Sequence, residues 1–292
     1  MAMLKKSTAR KAAFWTLHYA ALAVYLFVAL FPLFWLFKVS VTPNDILYTE
    51  GVRLWPSRAN FEHYTSVIHH TDFPLFFRNS VIVSALTALF TTLIAAGAGY
   101  SFSRFVYRGK FWIVGLMLMT QMFPLVMIIA PIYKLFTLPV FQYFLGPAGL
   151  TNSITGLVLI YTTYNVPFAA FLMQSFFDGV PKDLEEAAMI DGATRFGALV
   201  QIILPLTLPG IAATLGFVFT AAWSELLFAL MLNSSNAAST VPVGLLTFVS
   251  KFSVDFGQMM AASVLALIPA CAFFFLIQRY LVQGLTAGAV KG

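Results

Sequence analysis

The sequence predicts an all-α integral membrane protein with six transmembrane helices and one amphipathic helical device between the fourth and the fifth. Three observations carry this. Hydrophobic residues fill 60% and charged residues 10% of the 292 positions, outside the range of soluble globular domains. The apolar residues gather in runs of about twenty or more, the length that crosses a bilayer as a helix. The basic residues behind the net charge of +6 sit at the ends of those runs. Membrane topology places them there, whereas nucleic-acid binding requires a basic patch on a polar domain, so nucleic acid is not an expected partner and lipid is.

In chain order, Lys5, Lys6, Arg10 and Lys11 precede the apolar run 14–37. That run is too long for a signal-peptide core and lacks a small-residue cleavage site, so it is expected to be the first span with a cytoplasmic N-terminus, 1–13. Residues 38–77 mix both signs and form an external segment, in which Asn60 is a candidate helix cap. His63, His69 and His70 are close in sequence, but adjacent helical residues do not face the same way, so a metal site is not favoured there. The second span is expected at 79–103, followed by the basic loop residues Arg104, Arg108 and Lys110. The third, 111–133, carries Gln121, Pro124 and Pro131, and such a helix should face protein that satisfies the freed polar groups. Pro139, Gly146, Pro147 and Gly149 mark an external turn before the fourth span at 154–177. The fifth is expected at 208–232, the external stretch 233–255 comes next, and the sixth runs through 256–277. Cys271 lies alone in an apolar run and reads as a packing residue. Both termini are thereby expected to be cytoplasmic, with a transmembrane body at 14–283 and a short tail at 284–292.

The segment 178–209 is the one long charge-bearing stretch between two greasy runs. Pro181 suits a first helical turn, and Asp183, Glu185 and Glu186 lie where the helix dipole favours negative charge. Leu184, Ala187, Ala188 and Met189 give this helix a small apolar face. Gly192 suits a left-handed C′ position, Thr194 can cap a second helix, and Pro205 and Pro209 interrupt or kink that helix. Two short helices meeting at a glycine make a compact knob that can sit close against a partner.

The spaced pattern Glu186-Ala187-Ala188, Asp191-Gly192, then Ile202, Leu204 and Pro205 resembles the EAA loop of binding-protein-dependent ABC importers. A bare Glu-Ala-Ala is uninformative, but the whole spacing between membrane spans is specific. Further resemblance to the sugar-importer permeases of that family lies in Arg78-Asn79-Ser80, in Gln121-Met122-Phe123-Pro124 and in Trp223-Ser224-Glu225, where Ser replaces the usual Asn. The tail, with Gly284, Leu285, Thr286 and Gly288, is similar to that of the smaller membrane subunit of maltose-type importers. The resemblance implies a type I importer permease fold in a bacterial inner membrane. It implies that the loop docks on an ATPase subunit and that the tail reaches the interface between two such subunits. It further implies a second permease and an external solute-binding protein, which the stretch 233–255 would meet. ATP and Mg would then belong to the ATPase partners, and this chain would bind no cofactor and catalyse no reaction. Consistently, Gly109-Lys110 lacks the rest of a phosphate loop, and no hydrolase or metalloprotease motif is present.

Candidate residues for a substrate path are Gln121, Tyr161, Tyr164, Asn165, Trp223 and Glu225, because aromatics stack on sugars and amides and carboxylates bond their hydroxyls. Glu225 is the main ionisable residue inside a span, and there it serves a pathway or pairs with a neighbouring donor. A proton-coupled carrier using Glu225 is the rival from a different class. Within the importer reading a polyol or glycerol phosphate is an alternative cargo to a sugar.

Overall fold

The computed structural model describes residues 2–250 and 253–289, with side chains described for 11, 14–250, 253–278 and 280. All regular elements among them are helical, apart from one isolated bridge between Val249 and Val254. The helices in order are α1 (Ala2–Ser40), α2 (Asn44–Leu47), α3 (Glu62–His69), α4 (Phe73–Arg104), α5 (Lys110–Met122), α6 (Leu125–Phe136) and α7 (Pro139–Leu145). Then come α8 (Ile154–Asp178), α9 (Lys182–Ile190), α10 (Arg195–Ala198), α11 (Leu204–Leu206), α12 (Leu208–Trp223), α13 (Leu227–Leu232), α14 (Val241–Leu246) and α15 (Phe256–Ala289).

Four described helices are long and apolar enough to cross a membrane unaided: Phe14–Ser40 within α1, α4, α8 and Phe256–Gln278 within α15. Six spans result if two bent pairs each count as one: α5 with α6, bent by 104°, and Arg195–Leu206 with α12, bent by 73°. The chain divides into two compact units. One holds Met1–Thr71 with Phe248–Leu265, the other Asp72–Thr247 with Ala266–Gly292.

In the first unit α3 is held by two polar anchors. His63, buried, places Nε2 2.9 Å from the Thr42 carbonyl, and the Tyr64 hydroxyl meets Ser40 Oγ at 2.7 Å. His63 is thus a packed core histidine, and no group of three potential metal ligands occurs among the described residues. Asn60 is not the N-cap of α3, which is Phe61, but its Oδ1 does accept the Glu62 N–H at 3.3 Å.

The second unit is built on α4 and α8, its most extensive helix pair, with α12 alongside. Lipid supplies no hydrophobic drive between helices, so small residues that allow close approach have to do the packing. Ala88, Ala95, Ala169 and Ala170 are all buried in one core with Met173, Phe177, Val218 and Phe219. At Gly99 the backbones of α4 and α8 come close: a Cβ there would stand 2.8 Å from the Gln174 nitrogen and 2.8 Å from Met173 Cβ. A second core joins Val83, Leu157, Tyr161, Phe136 and Phe228.

Several expected boundaries are corrected. The second span begins at Phe73 rather than 79, because Pro74 sits in its first turn and needs no N–H partner there. The third is two helices broken at Phe123-Pro124, since a proline has no N–H to continue the ladder and forces its predecessor towards extended backbone. Facing protein was expected of it: α5 has no fully buried side chain, but half-buried Val114 and Met117 pack against the α4–α8 core. The fifth does not run to 232: α12 stops at Trp223 and α13 resumes at Leu227. The last helix does not stop near 277 but continues in backbone to Ala289, through the positions expected to be a separate tail.

Candidate functional site

The knob expected at 178–209 is present. α9 is closed by a Schellman turn: Ala193 N–H donates to Ala188 O at 2.9 Å and Gly192 N–H to Met189 O at 3.1 Å. Gly192 takes φ +94°, a region that costs glycine nothing, and Asp191 is the exposed residue that caps the helix before it. Thr194 Oγ1 accepts the Gly197 N–H at 3.0 Å and starts α10. A π-helical turn, Leu199–Ile203, then leads into α11, and Thr207 ends it by bonding back to Ile203 and Leu204.

The faces of α9 differ from the expected ones. Its buried residues are Glu185 and Ala188, one turn apart, whereas Leu184 and Ala187 point outward. Glu185, one of the three acids expected at the dipole-favoured end of the helix, is buried at 4% exposure. It turns inward because Arg104, at the end of α4, is buried with it: Arg104 Nε lies 3.2 Å from Glu185 Oε2. The Tyr100 hydroxyl donates to Glu185 Oε1 at 2.5 Å, and Arg104 Nη2 donates to the Val180 carbonyl at 2.8 Å. Removing one member of such a buried pair strands a charge and costs about 3–5 kcal/mol. Arg104 was legible only as a topology-setting cation, and Glu185 only as one of several acids.

Glu186, one residue on and about a hundred degrees round the helix, is exposed. With it on the outer surface of the knob stand Ile190 at 85% exposure and Phe196 at 73%. Large apolar side chains in the loop after a membrane span, set among charges, mark a contact surface. Beneath them a cleft of about 230 Å³ is lined by Arg104, Lys182, Glu185, Glu186, Met189 and Arg195. Of the later pattern residues, Ile202 and Leu204 pack against the α4–α8 core and seat the loop, while Pro205 is exposed.

The candidate path residues separate into two groups. Gln121 and Tyr164 come together: Gln121 Nε2 donates to the Tyr164 carbonyl at 3.1 Å, and both line a mostly apolar cavity of about 400 Å³ with Thr120 and Thr163. Asn165 is half-buried and spends its amide on the Tyr161 carbonyl at 2.8 Å. Tyr161 and Trp223 do not line that cavity. Tyr161 is a core residue, 1% exposed, and Trp223 is buried against Phe77 and Phe219. Their size made them core-fillers, a use that sequence alone does not separate from sugar stacking.

Glu225 explains the break in the fifth span. Its carboxylate accepts the Phe228 N–H at 2.9 Å, the Ala229 N–H at 3.2 Å and the Tyr161 hydroxyl at 2.5 Å. Two of the orphan donors that open α13 are satisfied by a side chain where water is scarce. Replacement by glutamine keeps an acceptor oxygen, so Glu225→Gln is expected to retain solute uptake within about twofold, measured in cells. A proton carrier at this position would lose uptake entirely.

On the opposite side the stretch 233–240 is pinned by amides. Asn79, buried, donates to the carbonyls of Ala237 at 2.9 Å and Ser239 at 3.0 Å, and Ser80 Oγ accepts the Val241 N–H at 2.7 Å. Asn152, at φ +51°, accepts the N–H groups of Ser234 at 2.6 Å and Ser235 at 3.1 Å. The Arg78-Asn79-Ser80 pattern thus has a structural role in fixing this loop. The tail residues Gly284, Leu285, Thr286 and Gly288 have described backbone only, in α15, and their side chains lie outside the described set.

Comparison with known proteins agrees with this geometry. The trehalose/maltose transport system permease MalG of Thermococcus litoralis is 35% identical over 91% of this chain and 92% of its own. The diacetylchitobiose uptake permease DasC of Streptomyces coelicolor is 36% identical over 92% of this chain and 95% of its own. A crystal structure of a bacterial ABC transporter that imports alginate contains a chain with the same fold, at TM-score 0.76 and 20% identity, covering 92% of this chain and 97% of that one. Residues 88–287 match the model of the binding-protein-dependent transport system inner membrane components, and the chain belongs to that family of multi-pass permeases.

Proposed function

We propose that this chain is the permease subunit of an ATP-driven importer for a sugar, an oligosaccharide or a glycoside. It forms the translocation path with a second permease and is driven by an ATPase dimer. The observation that carries the reading is the knob itself: α9 has its inner face locked to α4 and its outer face, with Glu186 and Ile190, turned to a partner beside Phe196 of α10. The cargo class is supported by the relatives, whose names specify trehalose/maltose, diacetylchitobiose and, in Agrobacterium fabrum, sulfoquinovosyl glycerol.

ATP and Mg reside on the ATPase partners, which close on each other and carry α9 with them. The spans above then switch the path from outside-open to inside-open. The cavity with Gln121 and Tyr164 is the part of the path this chain supplies, and apolar walls with a few amides and hydroxyls suit a sugar ring. The pinned loop 233–240 faces an external binding protein, and the tail from Gly284 reaches the ATPase interface. The membrane is the bacterial inner membrane, with both termini in the cytoplasm.

The test is to tag the chain, solubilise native membranes gently and identify what co-purifies. An ATPase subunit and a second permease are expected in fixed ratio. Recovery of the chain alone, still moving solute after reconstitution, overturns the reading.

A further inference from the structure

Two neighbouring glutamates on α9 differ in burial, and only one of them is available to a partner. Glu186 is on the surface, whereas Glu185 is sealed under it against Arg104 and Tyr100. We propose that Glu185 is the positioning residue that makes α9 and α4 move as one body, so that displacement of the knob becomes displacement of a membrane helix. This rests on the reading that α9 docks on an ATPase.

The anchors of α9 decide how it responds to a push. Besides Glu185, α9 buries only Ala188 and leans on α10 and the π-helical turn of its own knob, so without Glu185 the knob would roll or tilt against α4 as a unit. Glu185 adds a directed link. Its two oxygens meet different partners: Oε1 accepts the Tyr100 hydroxyl, which gives the link its direction, and Oε2 is paired by charge with Arg104 Nε at 3.2 Å. Arg104 is itself fixed, since Nη2 bonds the Val180 carbonyl in the strap that enters α9. Ser103 adds a bond to Asp178 Oδ1 at 2.6 Å, tying the ends of α4 and α8. Five residues back along α4 lies Gly99, where the α4 and α8 backbones meet too closely for a side chain. A push on α9 therefore enters α4 through charge and passes to α8 through backbone contact. Both links sit in the unit that holds the Gln121–Tyr164 cavity.

The experiment has two arms on Glu185→Gln, Arg104→Gln and Arg104→Lys. In the first, hydrogen exchange of the peptide covering α9 is measured in the permease pair without ATPase. Glu185→Gln and Arg104→Gln are expected to exchange at least tenfold faster than wild type, with Arg104→Lys between. Unchanged exchange overturns the proposal whatever the partner is. In the second, the assembled complex carries Thr163→Cys in a Cys271→Ser background, and a thiol reagent reports the cavity before and after ATP with vanadate. Wild type is expected to change its labelling rate at least fivefold and Glu185→Gln not to change, although the ATPase remains bound. Equal responses in both overturn the proposal. A wild type that assembles with no ATPase sinks the docking reading instead, and the exchange arm then judges the clamp by itself. A merely structural role would lower the amount of complex and leave the response of the remainder intact.

Discussion

Gly99→Val is expected to remove most of the folded protein from the membrane. A Cβ at this position meets the Gln174 nitrogen and Met173 Cβ at 2.8 Å and the Ala170 carbonyl at 3.0 Å. Two of these neighbours are backbone atoms of α8, so no rotamer change relieves the overlap, and the helices have to separate along their main contact. Overpacking a tight site costs about 1–3 kcal/mol for a few extra methyl groups, and rigid neighbours place this one at the upper end. Separation also opens gaps around Ala95 and Ala170, whose contacts are the packing that replaces a hydrophobic drive in lipid. Gly99→Ala is the milder form. Fluorescence-detected size exclusion of the solubilised protein checks both: full wild-type yield for the valine variant means the approach at Gly99 is looser than described.

The second large effect is on activity rather than yield. Gly192→Val is expected to lower uptake at least tenfold while the protein reaches the membrane in normal amount. No atom stands within 4 Å of the missing Cβ, so nothing in the fold clashes. The cost is local: at φ +94° a β-branched residue is strained by about 1–3 kcal/mol, and the relief is to unwind the Schellman turn. That would swing α10 and Phe196 out of register with Ile190 and spoil the knob as a rigid key. Asparagine tolerates left-handed backbone, so Gly192→Asn should fall between. Normal uptake by Gly192→Val, at equal expression, shows that the turn geometry does not matter to coupling.

Much of this architecture is legible in the sequence, and the failures have physical causes. The four uninterrupted spans follow from apolar length alone, and the Gly192 turn and Thr194 cap follow from residues with few other uses. The broken spans were harder. Pro124 announces an interruption, but whether a proline bends a helix or divides it depends on neighbours that no local pattern contains. Glu225 gave no local sign that it caps a new helix, because its three donors come from Tyr161, sixty-four positions earlier, and from the turn that it creates. At the knob the sequence showed a small apolar face and a run of acids, but not which of them turns inward. Burial of Glu185 becomes legible only when Arg104, eighty-one positions away, is brought beneath it. Long-range charge pairing leaves no periodic trace, whereas apolar burial does.

The burial of Glu185 beside an exposed Glu186 has a genetic consequence. A lesion at Glu185 disturbs only partners within the same polypeptide, so second-site revertants should arise in the same gene, at the codons for Arg104 or Tyr100. On the proposed docking, a lesion at Glu186 would disturb a surface shared with another protein, and its revertants should then map to the gene for the ATPase. Two adjacent codons for the same amino acid would thus evolve under separate constraints, one answering to its own chain and the other to a subunit inherited separately.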